Sequence, residues 1–395
     1  MSDGLSGLLR EAPPLAKFLV LYAALFTAFG ALSPFLPAFL NTRGIGPETL
    51  GAVLAAGTAV RLISGPIAGR IADRLAAPRA LLCVCAVAAS LAGLAYLPAR
   101  GPWFLLLVSL LQAFALAPIV PIADALSLAS SAPAPWSGKR QGFNYGWVRG
   151  AGSAAFIVGV VLGGRLLGYL GFIAIISLNA GLLAAASLLV FWVPDRITIH
   201  SRADAVRGGI GKLLRIPVFR WLLLVAALVQ GSHAMHDAFA VLRWQAIGID
   251  SATIGLLWSE GVTGEIVAFF LLGRPLLDRL GPAGSAMLAA MAGVVRWAVM
   301  ALATSVAPIA LVEPLHGFTF ALLHLACMHL IRELVPSRLA VTAQTVYGTL
   351  GIGMSTAVLT LCSGVFYARL GAGGFWIMSG LCACAVPFTR YLRRK

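Results

Sequence analysis

The chain has little charge and few of the residues from which soluble active sites are built. Of its 395 residues only 11% are charged, with 14 Asp and Glu and 6 His, while 60% are hydrophobic. Its mean hydropathy is +0.93, and no soluble globular domain has this balance. The scarcity of charge therefore excludes a soluble enzyme or a soluble binding module, and it indicates a membrane protein.

Cysteine is also scarce, and its spacing predicts no metal site. The six cysteines fall in apolar stretches. The pairs Cys83/Cys85 and Cys382/Cys384 lack the spacing of zinc ligands, because a helix points residues i and i+2 in different directions. We also find no nucleophile–base constellation and no soluble output domain. We therefore expect neither an enzyme nor a sensor, and no cofactor and no metal.

What the chain has instead is a series of apolar stretches, each long enough to cross a hydrocarbon core of about 30 Å. The first begins near Lys17, and no small-residue cleavage site follows it, so we expect a retained span and no signal peptide. The predicted spans are 17–40, 48–70, 79–98, 103–130, 143–168, 171–193, 217–243, 252–273, 284–303, 308–332, 341–367 and 373–391. The sequence thus predicts an all-α membrane protein with twelve transmembrane helices.

The basic residues lie mostly on one side of these spans. By this topology, 21 of the 29 Lys and Arg fall at the termini and in the connections on the same side, and five fall on the other. Because Lys and Arg concentrate in cytoplasmic loops, both termini are predicted to be cytoplasmic. The low Lys count beside abundant Arg and Ala is typical of a bacterial protein, so the predicted location is the bacterial inner membrane. The net charge of +15 is therefore a topology signal, and we expect no nucleic acid partner.

The second half of the chain echoes the first at an offset of 204 residues. The segment 44–51 (GIGPETLG) returns as 248–255 (GIDSATIG), and Leu107, Val108, Leu111, Phe114 and Ala117 return as Leu311, Val312, Leu315, Phe318 and Ala321. Chance matching of Leu, Ala and Gly is the alternative, but the register holds in two separate segments. The repeat predicts two pseudo-symmetric six-helix bundles, 1–193 and 217–395, joined by a cytoplasmic linker, 194–216. Such a layout places a binding site between the halves.

A motif after the second span resembles the signature loop of the major facilitator superfamily, G-x-x-x-D-R followed by a basic residue. Here it reads Gly69 to Arg74, with Asp73 and Arg74, followed by Arg79, and a degraded copy begins at Gly273 and holds Asp278 and Arg279. The resemblance implies the major facilitator fold. It also implies that the acidic and basic residues of these loops steady one conformational state, which makes Gly69, Asp73, Arg74, Asp278 and Arg279 candidate gating residues.

Two further segments resemble a narrower group. Asp124 closes the fourth span, and the fifth opens with Tyr145-Gly146-Trp147-Val148-Arg149 and continues to Gly152-Ser153. This pattern resembles the phenylpropionate permease group and, more distantly, the lactose permease and nucleoside symporter branches. There an acidic residue in helix four faces an Arg in helix five. Family antiporters often carry a Gly-Pro motif in helix five, and its absence from 156–164 argues against an exporter.

Eight ionisable residues lie well inside the predicted spans. At about 2.5–3.5 kcal/mol for each unpaired mid-membrane charge, they would cost on the order of 20–28 kcal/mol, so they must pair, protonate or face water. Five carboxylates stand against three arginines, and a carboxylate without a cation in a medium of low dielectric can carry a proton. This surplus predicts proton coupling. The eight are Arg61, Asp124, Arg149, Asp237, Glu260, Glu265, Arg296 and Glu313.

Depth in the membrane divides these charges into two groups. Asp124 and Arg149 both lie about 9–10 Å inside the cytoplasmic face, so they can pair across adjacent helices. We interpret them as contacts for substrate, with a purely structural ion pair as the alternative. The candidate substrate contacts are Asp124, Arg149, Tyr145, Trp147, Gln112 and His236, although membrane aromatics more often serve packing.

The second group lies in the C-terminal half. Glu313 and His316 share a helix face at i, i+3, and Arg296 and Glu260 fall at similar depth. An acid, an imidazole and a cation are what a proton relay needs; the alternative is a polar network that fixes helix packing. The candidate proton-coupling residues are Glu313, His316, Arg296, Glu260, Asp237 and Glu265.

These observations predict a secondary active transporter that couples a small organic solute to protons by alternating access. An aromatic acid is the first candidate for the substrate, with a nucleoside or sugar second. Proton-coupled efflux of drugs or metabolites is the alternative function. The expected partners are a small-molecule substrate, protons and the lipid bilayer, and we expect a monomer.

Overall fold

The structure is a computed structural model that describes residues 13–75, 77–131, 143–195, 209–336 and 339–393. All regular secondary structure in these ranges is helical. Ten helical stretches of the described chain are long and apolar enough to cross a membrane, and two of them, Ser251–Leu302 and Thr342–Leu392, have 52 and 51 residues. Each of these two has the length for two crossings. The stretches therefore account for the twelve predicted spans, and the all-α membrane fold is confirmed.

Eight helices build the six spans of the N-terminal half. Proline is the first residue of four of them, where its missing N–H costs no helical hydrogen bond. The helices are α1 (Pro14–Leu32), α2 (Leu36–Thr42), α3 (Pro47–Leu75), α4 (Pro78–Ala95), α5 (Pro102–Leu116), α6 (Ile119–Ser131), α7 (Tyr145–Leu170) and α8 (Phe172–Leu189), the last followed by a 3₁₀ turn, Val190–Trp192.

Ten further helices build the C-terminal half. Of the predicted linker, residues 196–208 lie outside the described residues, and a six-residue helix occupies its last part. The helices are α9 (Gly209–Leu214), α10 (Pro217–Gly231), α11 (His233–Ala246), α12 (Ser251–Val267), α13 (Gly273–Leu302), α14 (Val306–Val312), α15 (Leu323–Leu334), α16 (Ala340–Val346), α17 (Ser355–Leu370) and α18 (Gly374–Thr389).

Helix breaks follow proline and glycine. The first and fourth predicted spans are interrupted at turns that contain Pro34 and Pro118, since proline cannot donate the helical hydrogen bond and its ring crowds the preceding turn. Inside α13, Gly281 has φ +65° and is followed by Pro282, which separates the eighth predicted span from the ninth. Gly371, with φ +52°, separates the last two spans.

The chain divides into two compact units. The first unit comprises Met1–Phe35 and Val60–Ser201, and the second comprises Leu36–Ala59 and Arg202–Lys395. Within the second unit, α3 packs closely on α17, because Gly51 and Gly364 leave room for the two backbones. A Cβ at Gly51 would lie 2.8 Å from the Gly364 Cα.

The 204-residue repeat is visible in the backbone. Gly44 and Gly248 have φ of 84° and 83°, in the left-handed region where glycine meets no Cβ penalty. The same two hydrogen bonds close both helix ends: Ile45 N donates to Leu40 O (3.2 Å) and Ile249 N to Trp244 O (3.0 Å), while the two glycine N–H groups donate to Asn41 O and Gln245 O. The segment therefore has the same backbone conformation in both copies of the repeat.

Glycine also sets the closest helix packing of the first unit, where α7 lies against α1. A Cβ at Gly159 would collide with the backbone of Thr27, and one at Gly163 would lie 2.6 Å from Ala31 O. Small residues let membrane helices approach to backbone contact. Asn179 of α8 then ties this pair to a third helix, since its Nδ2 donates to Ala28 O at 2.8 Å.

Three segments of the second unit have π-helical hydrogen bonding. They are Ala268–Leu272, which continues α12; Gly317–Leu322, which precedes α15; and Tyr347–Met354, between α16 and α17. Such segments widen a helix locally and occur frequently at functional sites.

Candidate functional site

The first candidate site lies in the first unit, where α1, α6 and α7 meet. Asp124 stands in the middle of α6, and Arg149 stands in the second turn of α7. Gly152 of α7 gives the site its shape, because a Cβ there would lie 3.2 Å from the Phe26 ring and 3.3 Å from the Tyr22 ring. The missing side chain thus lets two aromatic rings of α1 lie beside Arg149.

The predicted pairing of Asp124 with Arg149 is confirmed. Arg149 Nη1 lies 3.7 Å from Asp124 Oδ1, and the hydroxyl of Tyr22 donates to the same carboxylate oxygen. Tyr145, the first residue of α7, also lies near this carboxylate. A phenol and a guanidinium therefore share a single carboxylate, whose charge is compensated within the first unit.

Arg149 keeps donor capacity beyond this pair. Its Nη1 is buried and has no hydrogen-bond partner among the described residues, and 3.7 Å to Asp124 is too long for a hydrogen bond. The guanidinium carbon lies 5.4 Å from the centroid of the Phe26 ring, within cation–π range. Since a buried donor without a partner is costly, the site is suited to a second anionic group beside an aromatic surface.

Two other predicted substrate contacts of the first unit, Gln112 and Trp147, have no described contact with Asp124 or Arg149. Gln112 of α5 is 3% exposed and packs beside Gly93 and Asn179. Trp147 is 70% exposed. On a helix it points to a different side from Arg149, two residues on.

The second candidate site lies in the second unit, around Glu313. Arg296 Nη2 of α13 donates to Glu313 Oε2 at 2.8 Å, and His236 Nε2 of α11 lies 3.2 Å from Glu313 Oε1. Arg296 and Glu313 are each 1% exposed. Both carboxylate oxygens thus have a charged or chargeable partner, as a buried carboxylate requires. The predicted proximity of Glu313 and Arg296 is confirmed, and His236 belongs with them.

Tryptophan rings enclose this group. The Arg296 guanidinium lies 4.5 Å from the centroid of Trp297. The His236 ring lies 4.9 Å from Trp258 and 5.8 Å from both Trp244 and Trp297. An aromatic enclosure keeps the local dielectric low, which strengthens the interactions between the charges inside it.

His316 extends the group toward α12. Arg296 Nη1 lies 3.0 Å from His316 Nδ1, and because arginine can only donate, Nδ1 accepts and the ring proton is on Nε2. That nitrogen lies 3.6 Å from Glu265 Oε2. Glu313, Arg296, His316 and Glu265 therefore form a continuous series of polar groups across three segments of the chain.

The remaining predicted proton-coupling residues lie at the edges of this series. Asp237 Oδ1 lies 3.3 Å from His236 Nδ1, with its side chain 57% exposed. Glu260 lines an apolar groove of about 310 Å³ together with Thr263, Gly264, Pro314 and Phe318. Its Oε2 atom is buried without a hydrogen-bond partner in the described chain.

The predicted gating residues lie at helix ends. Gly69 is exposed on α3, and Asp278 and Arg279 are exposed on α13 ahead of Gly281. The side chains of Asp73 and Arg74 lie outside the described part of the structure. Arg79, the basic residue after the motif, pairs with Asp195 at 3.0 Å.

The described residues contain no group of three or more His, Cys, Asp or Glu side chains placed to hold a metal ion.

Sequence reasoning missed two members of the first site. Tyr22 and Phe26 could have been found by their i, i+4 spacing, which puts two aromatic rings on one helix face. His233, whose Nε2 lies 2.9 Å from Thr319 Oγ1, stands three residues before His236 and shares its face.

The chain matches the MFS_1 like family over residues 15–378. It is 32% identical to the "Probable 3-phenylpropionic acid transporter" of Escherichia coli (strain K12), over 93% of this chain and 95% of the relative. It is 27% identical to the "Maltose permease" of Geobacillus stearothermophilus, over 92% and 91% of the two chains. The crystal structure of the nucleoside transporter NupG is similar in fold, with a TM-score of 0.82 at 16% identity, over 97% of this chain and 100% of that one.

A helical membrane fold with a structural repeat and charged groups inside its spans defines a secondary transporter of the major facilitator superfamily. Within that superfamily the chain belongs to the MFS_1 like family. Its relatives are transporters and not enzymes.

Proposed function

We propose that the protein is a proton-coupled symporter that imports a small aromatic carboxylate such as 3-phenylpropionate. The observation that carries this proposal is Arg149, whose buried Nη1 lacks a hydrogen-bond partner among the described residues while an aromatic ring lies beside the guanidinium. A carboxylate bound there by two parallel hydrogen bonds would satisfy that donor.

The aromatic part of the substrate has a surface available next to Arg149. The half-buried ring of Phe26 stacks on the buried ring of Tyr22 at a centroid distance of 5.5 Å with an interplanar angle of 14°. An aryl ring in offset-stacked or edge-to-face contact with Phe26 would leave its carboxylate within reach of Arg149. The relative from Escherichia coli, whose name assigns it 3-phenylpropionic acid, supports this substrate class.

Competition for Arg149 offers one way to couple substrate and proton. Arg149 now compensates the charge of Asp124. A substrate carboxylate that pairs with Arg149 would weaken this interaction. A carboxylate that loses its counter-ion in a medium of low dielectric binds a proton more readily. Binding of the anionic substrate and of a proton would then favour each other, as symport requires.

The group around Glu313 supplies the second element of the proposal. Glu313 and His236 lie 3.2 Å apart and can exchange a proton, while the Arg296 guanidinium keeps its own protons and links Glu313 to His316 through two donor nitrogens. Ion pairs inside membrane proteins commonly mark proton paths. We propose that this group carries the coupled proton while the protein alternates between its two access states.

The proposed setting is the bacterial inner membrane, with both termini in the cytoplasm and a monomer as the functional form. The distribution of Lys and Arg between the two sides supports this orientation. A small organic acid and protons are the partners that we propose.

Uptake by proteoliposomes tests the function. Purified protein is reconstituted, an inward proton gradient is imposed, and radiolabelled 3-phenylpropionate, maltose and uridine are offered in parallel. We expect accumulation of 3-phenylpropionate alone, its collapse on addition of a protonophore, and its loss in Arg149→Gln. Accumulation of maltose or uridine instead would reject the aromatic acid, and proton-driven extrusion of hydrophobic dyes without uptake would reject symport in favour of efflux.

A further inference from the structure

A second polar cluster lies in the second unit, outside the group around Glu313. It consists of His324 on α15, Tyr347 at the start of the third π-helical segment, and Gln230 on α10. Gln230 and Tyr347 are each 2% exposed. The mechanism proposed above uses none of the three, yet a histidine and a phenol buried together are chemically capable of holding a proton.

The hydrogen bonds of this cluster have a defined direction. Gln230 Nε2 donates to Tyr347 Oη at 3.1 Å, since an amide nitrogen can only donate. The phenol hydrogen is then left for His324 Nδ1, 3.2 Å away. His324 therefore accepts at Nδ1 and, when neutral, carries its proton on Nε2.

One buried atom of the cluster is left without a partner in this arrangement. Gln230 Oε1 is inaccessible to solvent and has no hydrogen-bond partner among the described residues. Buried acceptors in folded proteins are normally satisfied. An unsatisfied oxygen next to a rotatable hydroxyl suggests that the cluster has a second arrangement in which this oxygen is used.

Protonation of His324 produces that second arrangement. With both ring nitrogens protonated, Nδ1 must donate to Tyr347 Oη, so the phenol hydrogen has to find another acceptor. Rotation of the Gln230 amide by about 180° brings Oε1 to that hydrogen, because the two ends of an amide differ little in shape. Cys327, the other polar neighbour of Tyr347, is a weak acceptor. The cluster thus has two complete hydrogen-bond patterns that differ by one proton.

A path leads to His324 from the group around Glu313. His316, Phe320 and His324 stand on one helix face with their rings nearly parallel, at interplanar angles of 5° and 12° for the two neighbouring pairs. Because His316 Nδ1 lies 3.0 Å from Arg296 Nη1, this row of rings connects His324 to the group around Glu313.

The three π-helical segments meet at His324. The ring of Phe269, from Ala268–Leu272, lies 6.2 Å from the His324 ring. Phe320, from Gly317–Leu322, lies at 6.4 Å, and Tyr347, which begins the third segment, lies at 5.7 Å. A change in the charge of His324 therefore acts where three π-helical segments lie together, and such segments occur frequently at functional sites.

We propose that His324 is a second proton-binding site, which reports its charge to α10 and α16 through Tyr347 and Gln230. The added proton lies on Nδ1 and donates to Tyr347 Oη, and the phenol hydrogen turns to Gln230 Oε1. This inference rests on the proposed proton coupling.

Nitrogen-15 NMR of the full-length protein in lipid tests the site without a substrate. The chain has six histidines, so histidine-labelled protein gives few signals, and His324→Gln identifies its own by disappearance. As the pH falls from about 8 to about 5, we expect that signal to pass from one protonated nitrogen to two, and we expect its midpoint to move in Tyr347→Phe. A His324 that stays neutral throughout this range, with no response to Tyr347→Phe, would overturn the proposal.

Transport assays test the use of the site. In His324→Gln we expect proton-driven accumulation of 3-phenylpropionate to fall by at least about fivefold, the lower end of ordinary coupling between sites, while exchange across preloaded vesicles persists. His329→Gln, five residues away on the same helix, is the matched control. Unchanged accumulation in His324→Gln would overturn the proposal. If the unmodified protein accumulates no 3-phenylpropionate, the proposed function fails, and the NMR titration still decides whether His324 binds a proton.

Discussion

Arg296 Nη2 and Glu313 Oε2 lie 2.8 Å apart, and both side chains are 1% exposed. At this burial, water solvates neither charge. His236, on the other carboxylate oxygen at 3.2 Å, makes the pair part of a larger network. A pair of this kind contributes little stability by its presence, but losing one member is costly, because the other charge stays buried and unpaired.

Removal of Glu313 alone is therefore expected to destabilise the protein severely. We expect Glu313→Leu to lower the free energy of unfolding by about 3–5 kcal/mol. The double variant Glu313→Leu, Arg296→Met should recover part of the loss, because no unpaired charge is left. Thermal unfolding of the detergent-purified protein, followed by tryptophan fluorescence, measures both.

The partly exposed pair of Arg79 and Asp195, at 3.0 Å, is the matched control. Asp195→Ala is expected to cost no more than about 1 kcal/mol, as surface ion pairs usually do. Equal losses in the free energy of unfolding at the two pairs would mean that burial does not determine the loss. The proposed network around Glu313 would then be wrong.

The repeat allows a helix cap to be transplanted. Asp250 caps α12, with its Oδ1 accepting from Ala252 N and Thr253 N at 3.0 Å and its Oδ2 from Thr253 Oγ1 at 2.6 Å. The corresponding residue 204 positions earlier is Gly46, followed by Thr49, and a Cβ at Gly46 would meet nothing within 4 Å. We expect Asp250→Ala to cost about 0.5–2 kcal/mol and Gly46→Asp to raise the melting temperature.

The contribution of this cap depends on pH with a defined sign. Hydrogen bonds from Thr253 lower the pKa of Asp250 below its ordinary value of 3.8. A depressed pKa in the folded state means that the stabilisation is complete above that ordinary value and is lost as the pH falls through the folded pKa. The difference in melting temperature between the unmodified protein and Asp250→Ala should therefore be constant near neutral pH and shrink in acid. A difference that grows in acid would contradict the cap.

Gly264 and Gly317 are expected to tolerate no side chain. A Cβ at Gly264 would collide with the backbone of Pro314, and one at Gly317 with the carbonyl oxygen of Gly264. Overpacking of this kind costs about 1–3 kcal/mol. Alanine substitution at either position should lower the melting temperature, as measured in detergent. Gly380→Ala in α18, where a Cβ meets nothing within 4 Å, should be neutral or stabilising, since alanine favours the helix.

Arg149 and Trp147 should differ sharply in transport. Arg149→Lys keeps the charge but loses the planar pair of donors. We expect its kcat/KM for 3-phenylpropionate to fall by about 10- to 150-fold, which corresponds to the loss of about 1.5–3 kcal/mol for a hydrogen bond to a charged group. Trp147→Phe, two residues earlier and 70% exposed, should transport almost normally. A larger loss in Trp147→Phe than in Arg149→Lys would place the substrate on the other side of α7.

Much of the fold was predictable because its causes are local. A run of apolar residues long enough to cross a bilayer must satisfy its own backbone hydrogen bonds, so it becomes a helix wherever it sits. Gly44 and Gly248 mark equivalent helix ends for the same reason, since both need a positive φ. The turns at Pro34 and Pro118 within predicted spans were missed, although proline at these positions is itself a local signal.

The pairing of Asp124 with Arg149 was predictable from depth along two neighbouring helices. The role of Tyr22 was not, because its hydroxyl reaches Asp124 from 102 positions away in the chain. His324 shows the same limit more clearly. In the sequence it is one of several isolated histidines, and its partners Tyr347 and Gln230 belong to two other helices.

Composition, periodicity and the 204-residue repeat are properties of short segments, and they were enough to identify a helical membrane transporter and the charges inside its spans. The partners of those charges depend on which helices pack together and how each is rotated. That choice is made by contacts such as Gly152 against Tyr22 and Phe26, in which a missing side chain on one helix admits a ring from another. The spacing of residues along the chain does not predict such contacts. Only the tertiary structure therefore gives the partners in the carboxylate–arginine sites and in the His324 cluster.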